Sequence, residues 1–181
     1  MSFIDNDSLI DSELVSITKS YVKEDGYLDV YISKNFSKSE RKYVASMVKA
    51  TDSILDVDFR FTSNKKKADI RFYQKDIISG DDDVIGSATV NSKNQWNVQI
   101  KKDQSKQDKK WTTIHEFGHV LGLEHPFDGS DGDHYGSKNP WSFSAATSNH
   151  SVMAYQLGDK YPSFWTPSDY SALSSVWGFE V

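Results

Sequence analysis

A chain of 181 residues with a formal net charge of −5 and no cysteine is long enough to bury the core of one ordinary domain, and it uses neither a disulfide nor a thiolate ligand. Aromatic residues at 13% exclude a disordered chain, and the acidic balance excludes nucleic acid as the main partner, because phosphate binding needs a basic face. No apolar run approaches the roughly 20 residues that span a membrane, so no membrane partner is expected.

The opening stretch, MSFIDNDSLIDSELVSITKS, carries acids where a secretory signal carries a basic stretch and an apolar run. Residues 1–26 read as an N-terminal extension to a domain over 27–181. YLDVYIS (27–33) alternates like a strand, and SKSERKYVASMVKATDSIL (37–55) places Tyr43, Val44, Met47 and Val48 on one helical face, with Ser37 or Ser39 as cap. DVDFRFT (56–62), ADIRFYQ (68–74), DDDVIGSATVN (81–91) and QWNVQIKK (95–102) give four more strands. The lysine clusters at 64–69 and 101–110 are interleaved with polar and acidic residues and read as solvated. A helix over 108–123 follows, with Trp111, Ile114, Phe117 and Leu121 forming a face to bury. Some forty residues rich in Gly, Ser, Asp and Asn come next. Thr166 and Pro167 then announce a last helix that Gly178 ends.

Three of the five histidines fall in HEFGHVLGLEHP (115–126). Residues four apart on a helix lie one above the other, so His115 and His119 can present two imidazoles to one ion. Gly122 marks where the helix can stop and double back, bringing in His125, and Pro126 keeps it from resuming. Three neutral nitrogens leave an open fourth position, which is the catalytic pattern of zinc. Glu116, beside the first ligand, is placed to act as general base on the zinc's water. Two histidines on a helix can serve packing alone, but five fixed positions make that a poor account.

The full string His115-Glu116-x-x-His119-x-x-Gly122-x-x-His125 resembles the signature of the metzincin metallopeptidases. SVMAY (151–155) resembles their methionine turn, closest to the serralysin branch and next to astacins. The resemblance implies an α/β (α+β) catalytic domain over 27–181, with a twisted five-stranded mixed sheet, an active-site helix and a C-terminal helix. It implies that Met153 floors the site, and that Tyr155 approaches the zinc as a ligand or swings away to steady the tetrahedral oxyanion. The C-terminal TPSDYSALSSVWG also resembles the serralysin helix. Serralysins usually continue into glycine- and aspartate-rich calcium repeats, which are missing here, as is the cysteine switch of matrixins.

Other candidates are weaker. Asp128, Asp131 and Asp133 are candidate calcium ligands, with 79–83 as a second acidic loop, although neither fits an EF-hand. His150 reads as a loop histidine with a local partner, and His134 has no assigned role. IGSATV (85–90) is an edge strand against which substrate can pair, and Tyr161, Phe164 and Trp165 are either pocket walls or core.

The expected function is a zinc-dependent endopeptidase acting on extended protein or peptide substrates, monomeric, with a protein inhibitor as a candidate partner and extracellular, non-classical export as its setting. The rivals are a non-catalytic module that keeps zinc for stability, with Tyr155 as fourth ligand, and a peptidase with one narrow target.

Overall fold

The computed structural model describes residues 3–80 and 82–180, and of Glu24 the backbone alone. Five strands form one sheet: β1 (Tyr27–Ile32), β2 (Asp58–Phe61), β3 (Ile70–Lys75), β4 (Gly86–Val90) and β5 (Trp96–Lys101). Their order is β2-β1-β3-β5-β4, parallel throughout except for β4, which runs antiparallel to β5 at the edge. This is the mixed α/β sheet expected.

Purely parallel sheets are usually covered on both faces, and their strands are then apolar throughout. Here the strands alternate. Leu28 and Val30, Ile70 and Phe72, and Trp96, Val98 and Ile100 are buried, while Arg71, Tyr73, Asn97 and Gln99 between them are half-buried. One face therefore carries the core, and helices α1 (Ser12–Asp25), α2 (Lys38–Asp52) and α3 (Lys106–Leu121) pack onto it. Phe117 of α3 meets Phe72 of β3 with ring centroids 5.9 Å apart.

Each helix begins and ends for local reasons. Ser37 caps α2 in a reciprocal box with Glu40, and the Glu40 carboxylate also takes Lys109 Nζ at 2.9 Å, linking α2 to α3. The third helix starts two residues earlier than its hydrophobic pattern predicts, because the Ser105 side chain accepts from Asp108 N. It stops at Gly122, whose φ of 101° is left-handed, and Leu123 N then turns back onto Gly118 O at 2.9 Å. Helix α4 (Pro167–Trp177) has the expected Thr166 cap, and Asp169 completes its capping box.

Strand β4 is shorter than the predicted 81–91, and residues 82–85 form a loop, Asp81 lying outside the described residues. Described residues of the expected N-terminal extension pack against the rest of the domain. Ile4, Leu9 and Tyr21 join the core, Thr18 Oγ1 donates to Val120 O of α3, and Trp96 Nε1 donates to Thr18 Oγ1 at 2.9 Å. No described helix is long and apolar enough to cross a membrane.

Helix α1 crosses α3 where Gly122 leaves no room, since a Cβ there would overlap Val15 Cγ2. Gly122→Ala combines a left-handed backbone with overpacking, and is expected to cost about 2–4 kcal/mol in urea unfolding. A loss under about 0.5 kcal/mol would show that α1 yields freely at this crossing.

Candidate metal centre

His115 and His119 project from the same face of α3, four residues apart. Each ring is fixed by its other nitrogen: His115 Nδ1 lies 2.9 Å from Val152 O, and His119 Nδ1 lies 2.8 Å from Leu123 O. A carbonyl only accepts, so both Nδ1 atoms carry the proton and both Nε2 atoms present a lone pair. His125 arrives after the Gly122 turn. Its loop is tied by Glu124 N to Leu9 O and by Asp128 N to His125 O, both at 2.9 Å. Phe127 stacks on its ring at 4.9 Å with planes only 6° apart.

Ligand nitrogens of all three histidines lie within 4.8 Å of one another. His115 Nε2 and His125 Nε2 are 3.2 Å apart. Two nitrogens at about 2.0–2.1 Å from a tetrahedral zinc would be separated by roughly 3.3 Å, so the observed gap is the edge of such a site. Burial depresses all three imidazoles, with the neighbouring histidines adding to the effect at His115 and His125, and His125 falls to about 3. Neutral imidazole is the ligating form, so these residues fit zinc.

Glu116 is 6% exposed and sits between α3 and the edge strand. The Ala88 backbone hydrogen-bonds its carboxylate, while burial pushes its pKa up to about 8. A Cβ on Gly86 would overlap Glu116 Oε1 and Thr112 Cγ2, so β4 lies directly on this carboxylate. Glu116 and His115 line one cleft of about 370 Å³, walled by Trp111, Ile85, Trp141 and Tyr155. Tyr155 is 43% exposed, with its ring 4.8 Å from that of His125 and 5.9 Å from that of His115.

Beneath the histidines, the turn at 151–155 buries Met153 fully, against α3 where Gly118 has no side chain: a Cβ there would sit 2.6 Å from Met153 Sδ. The same turn supplies Val152 O, which Trp111 Nε1 also engages at 3.0 Å. Asp169, wholly buried, holds the turn by accepting from Ser151 Oγ at 2.5 Å and Val152 N at 3.0 Å.

The structure thus brings together His115, His119, His125, Glu116 and Tyr155. His150 stays apart, with Nδ1 accepting from Thr147 N. Trp165 is core, its Nε1 on Thr51 Oγ1, and Tyr161 donates to Asp108 from outside the cleft wall. Asp131 and Asp133 approach Glu124, whereas Asp128 instead accepts from Ser130 N. Trp141, Phe127 and Asp169 were not singled out from sequence. Trp141 and Phe127 sit in an aperiodic loop, and the NPW turn around Trp141 was the one available signal.

Fold and triad together define a metzincin-type zinc metallopeptidase. Residues 15–131 match the model of the matrixin family, and the chain belongs to that family. Its fold is similar to that of a solved structure of myroilysin, with a TM-score of 0.59 at 15% identity, covering 86% of this chain and 94% of that one. No curated protein matches it by sequence.

The purified protein is expected to carry one zinc per chain by mass spectrometric metal analysis. His119→Ala should lose that zinc on dialysis, and a variant that retained it would break the assignment of the triad.

Proposed function

We propose that this matrixin-family chain is an endopeptidase in which Glu116 is the general base and His115, His119 and His125 hold the zinc. The observation that carries the reading is the gathering of three histidine nitrogens within 4.8 Å of one another, with one of those histidines, His115, sharing a cleft with the buried Glu116 carboxylate at a sheet edge. Zinc, when bound, supplies a Lewis acid that brings a water's pKa to about 7 and polarises a carbonyl. The Glu116 carboxylate takes the proton of the attacking water and returns it to the departing amine nitrogen. Its hydrogen bond to Ala88 and the close approach of Gly86 keep it from turning away. The Tyr155 hydroxyl donates to the scissile carbonyl oxygen as charge builds there.

Substrate lies along β4, which has a neighbouring strand on one side only and offers its other edge to an extended main chain. This favours unfolded protein segments over compact ones. Within the metzincins we place the chain nearest the serralysin branch. The Ser151-Val152-Met153-x-Tyr155 sequence supports this, with Met153 under α3 and Tyr155 beside His125. The same closeness of Tyr155 is what a zinc-stabilised binding module would use for a fourth ligand.

Digestion of unfolded casein by the parent, and its loss by at least about 10³-fold in a zinc-retaining Glu116→Gln variant, is the expected result. Equal cutting by both would remove Glu116 from the mechanism, and no cutting by a zinc-loaded parent would favour the binding module or a single dedicated target.

The base must be ionised to act, so the rate should rise with pH on the acid side. Burial, partly offset by the Ala88 backbone, raises the Glu116 carboxyl to about 8, and a dication beside it favours the carboxylate, which moves that acid limb below 8. A pH–rate profile that falls between about pH 5 and 7 would contradict a carboxylate base.

A further inference from the structure

Next to the third histidine in sequence, and outside the lining of the cleft, Glu124, Asp131 and Asp133 bring carboxylate oxygens within 4.8 Å of one another. Glu124 is 6% exposed, and its Oε1 is buried with no hydrogen-bond partner. The Oδ1 atom of Asp133 is likewise buried and unpartnered. No ion pair among the described residues reaches any of the three, and Lys138 Nζ lies instead against Gly129. Asp11 and Asp128 add negative potential at Glu124, and Asp5 and Asp7 add it at Asp133, with only His134 opposing. Gathering this much like charge around an unsatisfied buried oxygen is costly unless a cation completes it.

We infer that Glu124, Asp131 and Asp133 form a second cation site, for calcium, distinct from the histidine centre. The donors are all hard oxygens, which suit calcium or magnesium and disfavour zinc or copper. Their mutual distances fit on a sphere of oxygens about 2.3–2.6 Å from one ion. Calcium suits the setting better than magnesium, because Asp131 and Asp133 come from an irregular loop and magnesium demands near-ideal octahedral ligands. The set differs from the Asp128, Asp131 and Asp133 suggested by the sequence, since Glu124 contributes the buried carboxylate.

The placement gives the site its work. Glu124 directly precedes His125, and its N–H already bonds Leu9 O, beside the bridge between Ile10 and Leu123. A cation here fastens the loop at 131–133 to the residue before the third histidine, where the chain is already bonded to Leu9. The inference does not depend on peptide hydrolysis.

Zinc-loaded, calcium-free protein titrated with calcium chloride in a calorimeter should bind one ion per chain. Its melting midpoint should rise by about 5–10 °C at a hundredfold excess over Kd. The Asp131→Asn/Asp133→Asn double variant should bind at least tenfold more weakly with its zinc content unchanged. Glu124→Gln, which removes the buried charge, should melt no lower than the calcium-free parent and gain nothing from calcium. A parent that gives no calcium heat, or a Glu124→Gln variant that responds as the parent does, overturns the site. An equal response to magnesium overturns the choice of ion.

Discussion

A carboxylate with no solvent exposure survives only where donors fill its acceptors, and Asp169 is such a group. Burial raises its pKa while Ser151 Oγ, Val152 N and Thr166 N, together with its capping contacts, pull the other way. Those donors belong to two separate stretches, the start of α4 and the turn at 151–155. The carboxylate therefore fixes where Val152 points, and the Val152 carbonyl fixes the tautomer of His115. The orientation of the His115 ring on α3 thus depends on an acid fifty-four residues downstream that does not line the cleft. Outer contacts of this kind orient ligand rings and tune their basicity.

A second constraint acts from the opposite side. Gly86 and Gly118 are both places where a side chain is forbidden, one by Glu116 and Thr112, the other by Met153. Through the first, the edge strand lies on the carboxylate; through the second, the turn that carries Met153 lies against the helix. Helix α3 is held between them with Ile114, Phe117 and Leu121 fully buried. His115 and Glu116 are consequently buried along with its apolar residues, and this burial favours neutral imidazole and raises the Glu116 pKa.

The elements and the triad were legible because their signals are local. A helical repeat, a serine cap, a stopping glycine and alternation along strands each act over a few residues. The part played by residues 1–26 was hidden by chemistry. Helix α1 docks through Thr18 and Tyr21, residues that pattern rules assign as readily to a surface, and Thr18 is wholly buried because its hydroxyl both gives and receives a hydrogen bond. Likewise Asp169 reads as an ordinary capping acid, since nothing within its helix announces Ser151. The closeness of Glu124 to Asp131 and Asp133 arises from how the loop folds back, which spacing alone does not announce.

The far wall of the cleft is attached differently from everything else in it. Gln156 Nε2 clamps Pro140 O at 2.6 Å and Ser142 O at 2.9 Å on either side of Trp141, whose own N–H bonds Asn139 Oδ1 at 3.0 Å. Trp141 and Phe143 are both well exposed, and neither belongs to the core cluster. The wall thereby rests on loop hydrogen bonds and not on core packing, and exchanges at Trp141 and Phe143 in this segment are expected to leave the histidines and their carbonyl supports unaltered. Divergence of taste without loss of teeth is open to this architecture, and a library confined to that segment is where new preferences would be selected at least risk to the scaffold.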